Sequence, residues 1–194
     1  MLVSSASAFS SYQQDDAWTW EHQALVRARF VAGDSGVADR VNELRAEILC
    51  QPRDPVALAQ EVQGMREKMR KHLLSNEQPE DGEFHLKQGV GGIVDIEFMV
   101  QYAVLAWSHR EPELARWSDN VRILETLGRE GLFERQECEA LTQAYLDYRS
   151  AAHQLSLQQQ PGVVPADSFA QARAAVDGKW QQLFAPYIND TTDE

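Results

Sequence analysis

Apolar residues recur along this chain at intervals of three and four, the spacing that places them on one side of an α-helix. A first helix is predicted from about Asp15 to Val31, with Asp15 and Asp16 at its positive end and Gly33 beyond its last turn. A second carries Val37, Val41, Leu44, Ile48 and Leu49 on one face. Asp54-Pro55 signals a third start, Asp as cap and Pro as first helical residue, ahead of Leu58, Val62, Met65, Met69 and Leu73. Ser75 to Gly82 reads as a polar loop, and Phe84-His85-Leu86-Lys87 as a short strand or extended lead-in. From Ile93 to Trp107 only Asp95, Glu97 and Gln101 are polar, which predicts a helix to about Ser108 that is buried nearly all round.

Ser118-Asp119-Asn120 caps a further helix through Val121, Leu124 and Leu127, which Gly131 ends. The most regular seam runs through Cys138, Leu141, Tyr145, Tyr148, Ala152, Leu155 and Gln159. Pro161-Gly162 breaks it, and a last helix shows Phe169, Ala172, Val176, Trp180, Leu183 and Tyr187. The pattern predicts an all-α bundle of about seven helices, with at most one short extended segment near 84–88. Residues 15–188 read as the helical domain, residues 1–14 as a Ser- and Ala-rich lead-in in which Leu2 and Val3 end an earlier strand, and residues 189–194 as a frayed polar tail.

Composition narrows the partners. The formal net charge is -12, which disfavours a nucleic-acid surface, since phosphate neutralisation needs clustered Lys and Arg. No apolar run reaches membrane-spanning length and no leader is readable, so a cytoplasmic chain with no membrane partner is expected. Cys50 and Cys138 are too few and too far apart for a disulfide framework or a C-x-x-C motif, and Cys138 reads as a buried thiol. The histidines form no H-x-x-x-H or H-E-x-x-H, so zinc is not supported.

The stretch GVGGIVDIEF, Gly89 to Phe98, carries the most pointed chemistry. On a strand, Asp95 and Glu97 would point the same way and share a metal. On a helix they lie about 200° apart and cannot form a compact two-carboxylate site. Each acid then needs its own partner, because an unpaired buried carboxylate is costly. Two readings stay open: structural ion pairs, or groups facing an adjoining active site. The glycines match neither phosphate-loop pattern, and Asp95 would repel a phosphate there. Gly91 and Gly92 therefore read as a tight turn against another backbone, with Lys87 as the nearest cation for an anionic ligand.

A basic run follows the third helix's stripe: Met65-Arg66-Glu67-Lys68-Met69-Arg70-Lys71-His72. Arg66 and Arg70 share a face, and the run is expected to be solvated above a methionine-bearing stripe, or else to meet phosphates or an acidic protein surface. Trp18, Trp20 and His22 are expected to be core residues and a satisfied polar group.

Four segments together resemble one family. They are AWTWEHQALVRAR from Ala17 to Arg29, Met65 to Arg70, GGIVDIEF from Gly91 to Phe98, and WSDNVRIL from Trp117 to Leu124. The combination, in this order over nearly the whole chain, resembles the bifunctional glutamine synthetase adenylyltransferase/adenylyl-removing enzymes, also called glutamate-ammonia-ligase adenylyltransferases. The resemblance implies a large enzyme with two nucleotidyltransferase domains, each followed by a helical domain similar to one in the PII uridylyltransferases. One half transfers AMP from ATP to a tyrosine of glutamine synthetase. The other removes it by phosphorolysis, and the PII signal protein and glutamine set the balance.

On that resemblance the chain looks like the helical domain of the C-terminal, adenylylating half, and residues 1–14 like the end of the preceding nucleotidyltransferase region. The family's Gly-Ser turn and D-x-D strand, which hold Mg²⁺ on ATP, have no counterpart here, so no catalytic residue is expected in this chain and none is expected to bind metal. Inactivity of the chain alone follows. The residues expected to face the active site or an interface are Lys87, Asp95, Glu97, Arg66 and Arg70. The alternative is a protein-interaction module with no nucleotide contact.

Overall fold

The computed structural model describes residues 4–74 and 79–187. Among these, eight α-helices and one small sheet alternate along the chain: α1 Ala6–Asp15, α2 Thr19–Arg27, α3 Ser35–Leu49, α4 Pro55–Leu74, β1 Glu83–His85, α5 Ile93–Trp107, α6 Asn120–Arg129, α7 Arg135–Leu157, β2 Val163–Pro165 and α8 Ala170–Phe184. Short 3-10 turns follow α5 at Pro112–Arg116 and α8 at Ala185–Tyr187. The all-α reading holds. The expected strand at Leu2 and Val3 and the frayed tail at 189–194 lie outside the described residues, as does part of the Ser75 to Gly82 loop.

The N-terminal helix differs from its prediction. α1 stands in the stretch expected to be a lead-in, the helix expected from Asp15 to Val31 is the shorter α2, and Asp15 closes the first instead of opening the second. Ser5 caps α1 by accepting the Ala8 N–H at 3.2 Å, and the N–H groups of Asp16 and Ala17 both return to the Tyr12 carbonyl, which ends it. The Glu21 carboxylate then accepts the Trp18 N–H at 2.9 Å and the Tyr12 hydroxyl at 2.7 Å, so one acid starts α2 and ties it to α1.

α2 stops at Arg27 because its last carbonyls are taken from outside. Buried Arg45 of α3 donates to the carbonyls of Leu25 at 3.1 Å and Val26 at 2.6 Å. The same guanidinium reaches the carbonyls of Ala115 and, at 2.9 Å, Trp117. Arg53 plays a similar part after α3, donating to Ile48 at 2.8 Å and Leu49 at 3.1 Å, and across to the Leu105 carbonyl. α4 begins as its sequence signals, with Asp54 accepting the Ala57 N–H at 2.7 Å.

α5 is the axis of the bundle. Twelve of its fifteen residues are buried, and α2, α4, α6, α7 and α8 all pack on it. Only Glu97, Gln101 and Trp107 are more than marginally exposed. At its far end Tyr102 meets Phe184 edge-on at 4.9 Å between ring centroids, and Trp107 meets Phe133 at 5.9 Å. β2 was not anticipated: Val163-Val164-Pro165 is too short to show alternation. It pairs antiparallel with β1, Phe84 opposite Val164. Cys138 is buried, and burial pushes its thiol up to about 11.

Candidate functional site

The glycine turn and α5 direct the two acids to opposite sides. Gly91 has φ +78°, and a Cβ there would sit 2.7 Å from the Arg173 carbonyl oxygen. A Cβ on Gly92 would sit 2.7 Å from the Leu86 oxygen. The turn is therefore pressed against α8 on one side and its own lead-in on the other. The amides a phosphate would need are already engaged. Ile93 donates to Leu86 at 3.0 Å, Val94 to Lys87 at 3.2 Å, and Gly91 to Asp95 Oδ2 at 2.8 Å. The anion in this cradle is the chain's own Asp95.

Asp95 points at α4. Arg66 Nε donates to Asp95 Oδ1 at 2.6 Å, and Arg70 Nη2 reaches Oδ1 at 2.8 Å and Oδ2 at 3.1 Å. Arg66 is wholly buried, and its other nitrogens donate to the side chain of Gln88 at 3.1 Å and its carbonyl at 3.0 Å. Burial pulls the Arg66 guanidinium below its ordinary value, while Asp95 pulls it back up. Here the expected solvated face of α4 needs correction. The buried stripe runs Leu58, Ala59, Val62, Arg66, with Arg70 one turn further, while Met65 and Met69 are only partly buried and Leu73 is exposed. The basic run does meet an acid, but within its own chain. Lys87 is exposed and joins none of the contacts around Asp95 among the described residues.

Glu97 points the other way, to α2 and α7. Tyr145 donates to Glu97 Oε1 at 3.1 Å, Arg27 approaches the same oxygen at 3.5 Å, and Arg149 Nη1 donates to the Tyr145 hydroxyl at 3.1 Å. One turn along, Gln23 donates to Gln101 at 3.1 Å. The hydrogen bond from Arg149 to Tyr145, then Glu97 and Asp119, holds the Arg149 guanidinium above its ordinary value. Arg27 and Glu97 each keep roughly a third of their side-chain surface in contact with solvent, at 34% and 27%. Nearby in sequence, Asn120 is fully buried with no partner for either amide atom among the described residues.

The five candidates thus separate into a cluster of buried Asp95 and Arg66 with partly exposed Arg70, a partly exposed network around Glu97, and a surface Lys87. Arg27, Tyr145, Arg149 and Gln23 were not singled out as site residues. Only the helical spacing of Gln23 with Arg27, and of Tyr145 with Arg149, hinted that each pair shares a face. The expectation for the tryptophans is corrected as well. Trp18 is 70% and Trp20 48% exposed, because they sit at the start of α2, ahead of its buried residues Gln23, Leu25 and Val26. His22 is half-buried and bonded to the Gln13 carbonyl at 2.9 Å.

Comparison with known proteins bears on these networks. Residues 1–44 match the family model described as glutamate-ammonia ligase adenylyltransferase, and residues 61–176 the one described as GlnD PII-uridylyltransferase. A bifunctional glutamine synthetase adenylyltransferase/adenylyl-removing enzyme of Shewanella loihica is 54% identical over 168 residues, covering 87% of this chain and 17% of that protein. The chain belongs to the glutamine synthetase adenylyltransferase family. It spans less than a fifth of that relative's length.

Along this chain, the two family models lie on either side of the α3–α4 connection: α1 and α2 fall in the first, α5 and α6 in the second. The Glu97 network crosses between them, because Arg27 lies in the first match and Glu97, Tyr145 and Arg149 in the second. The acids do not fit a Mg²⁺ site. Asp95 is saturated by two guanidinium groups and an amide, and Glu97 faces another helix. Among the described residues no group of three or more His, Cys, Asp or Glu side chains is placed to hold a metal, and no helix is long and apolar enough to cross a membrane.

Proposed function

We propose that this chain is the helical part of an enzyme that transfers AMP from ATP to a tyrosine of glutamine synthetase, and that it packs on a nucleotidyltransferase core without supplying catalytic carboxylates. Mg²⁺ and ATP are handled by that core, in the cytoplasm, under control of the PII signal protein. The observation that carries the reading is the Arg27–Glu97–Tyr145–Arg149 network. It joins the segment matched to the adenylyltransferase family model with the segment matched to the uridylyltransferase one, and it stays partly open to solvent. Charged groups that only stabilised the bundle would gain little from such half-exposure, since exposed pairs contribute about 0–1 kcal/mol. Held at an edge, they can orient a neighbouring domain or meet a polar substrate group.

The test uses the Shewanella loihica relative with this chain in place of its matching 168 residues. That hybrid is expected to adenylylate glutamine synthetase, and the 194-residue chain alone to transfer no AMP. Glu97→Gln in the hybrid is expected to lower the rate at least tenfold with little change in stability. Mg²⁺-dependent ATP turnover by the isolated chain would overturn the reading. Normal adenylylation by the Glu97→Gln and Arg27→Ala hybrids would favour an interaction module that never meets nucleotide.

A further inference from the structure

A groove of about 590 Å³ lies between the start of α2 and the middle of α4, lined by Trp18, Trp20, Gly64, Met65 and Lys68 among others. Thr19 donates to Glu61 across one end. Two of its features have no role among the described residues. Trp18 occupies the capping position of α2, where Ser, Thr, Asp or Asn is favoured, yet its side chain makes no capping hydrogen bond and is 70% exposed. Gly64 sits mid-way in the twenty-residue α4, where glycine costs about 1 kcal/mol relative to alanine. A Cβ there would meet nothing within 4 Å. The helix thus accepts a loss that no neighbour among the described residues requires. Two exposed tryptophans beside an open glycine have the composition of an interface centre.

We infer that this groove is the seat of the remainder of the longer polypeptide, the part that carries the transferase chemistry, which inserts an apolar side chain between the two tryptophans and over Gly64. The inference rests on the reading that the chain is one portion of such an enzyme. Trp18 and Trp20 lie within the residues matched by the adenylyltransferase family model, and the matching relative has 83% of its length outside the aligned segment, by subtraction of 17% from the whole. A cover in the same polypeptide is present at high effective concentration, so it can seat with less buried surface than the about 1,200 Å² a separate partner needs.

Hydroxyl-radical footprinting of Trp18 and Trp20 tests this, comparing the 194-residue chain with the hybrid in which it replaces the matching 168 residues of the Shewanella loihica relative. Labelling is expected to fall at least fivefold in the hybrid. Gly64→Leu is expected to leave the melting temperature of the isolated chain unchanged or higher, and to restore labelling in the hybrid. Equal labelling of both tryptophans in the chain and in the hybrid overturns the inference, and so does unchanged protection in the Gly64→Leu hybrid. Protection that rises with concentration in the isolated chain assigns the groove to a second copy and also overturns it. A hybrid that adenylylates glutamine synthetase while its tryptophans stay fully labelled rejects the groove and leaves the proposed activity intact.

Discussion

Arg66 Nε and Asp95 Oδ1 lie 2.6 Å apart, with side-chain exposures of 0% and 2%. The pair joins α4 to the first turn of α5 in a place water does not reach. Breaking such a pair from one side leaves a charge unsolvated and unpaired, a loss of about 3–5 kcal/mol. Asp95→Asn is therefore expected to lower chain stability by roughly 3 kcal/mol or more, read from the urea midpoint. A loss below 1 kcal/mol would show that Arg70 and Gln88 carry the cluster without the acid.

Tyr145 and Tyr148 stand one turn apart on α7 and should respond oppositely to loss of the hydroxyl. The Tyr148 hydroxyl is buried with no hydrogen-bond partner among the described residues, and burial pushes it up to about 12. Tyr148→Phe is expected to be neutral, or stabilising by up to about 1 kcal/mol. Tyr145→Phe removes the link between Glu97 and Arg149 and is expected to cost about 1–2 kcal/mol. Thermal melts of the two variants decide it, and a loss at Tyr148 as large as at Tyr145 would contradict the assignment.

Gly91→Ala combines a disfavoured positive φ with a Cβ 2.7 Å from the Arg173 oxygen. Both effects act on the folded state, so a loss of about 2 kcal/mol or more is expected. Amide exchange should quicken first at Ile93 and Val94, whose donors depend on that turn.

His22 gives the chain an acid-side dependence. Burial lowers its pKa most; the Gln13 carbonyl opposes this, Arg53 reinforces it, and Glu21 opposes it. A folded value below the ordinary 6.5 means that the unfolded chain binds the proton more readily. The associated stability is complete above about pH 6.5 and is lost as pH falls through the folded value. His22→Gln is expected to flatten the slope of unfolding free energy below about pH 6.5, where one such group contributes at most about 1.4 kcal/mol per pH unit. An unchanged slope would rule out His22 as its source.

The bundle was legible because apolar spacing survives wherever a helix has a continuous buried stripe, as in α5 and α7. α1 has none: its one buried residue is Gln13, so the stretch read as a lead-in. The divergence of Asp95 and Glu97 was also legible, since it follows from 3.6 residues per turn alone. Their partners were not. Arg66 and Arg45 occupy core positions as charged residues, and a pattern that counts only apolar residues assigns them to solvent. What keeps Arg45 inside is a set of carbonyls at the end of α2 and near Ala115, about 70 positions away in sequence. Contacts of that span depend on chain topology, which local periodicity does not encode.

The three-residue ribbon of β1 and β2 has a consequence for how the chain tolerates cutting. It closes a loop of about 80 residues, and lengthening such a loop costs only slowly growing entropy. Past the ribbon, Arg173 lies against Gly91, whose amide binds Asp95, so the backbone that braces this turn arrives in the chain long after Asp95 itself. A nick between α7 and β2 is expected to loosen the turn ahead of α5 without touching any residue bonded to Asp95. The Asp95 cluster depends on a stretch of chain that none of its own hydrogen bonds reaches.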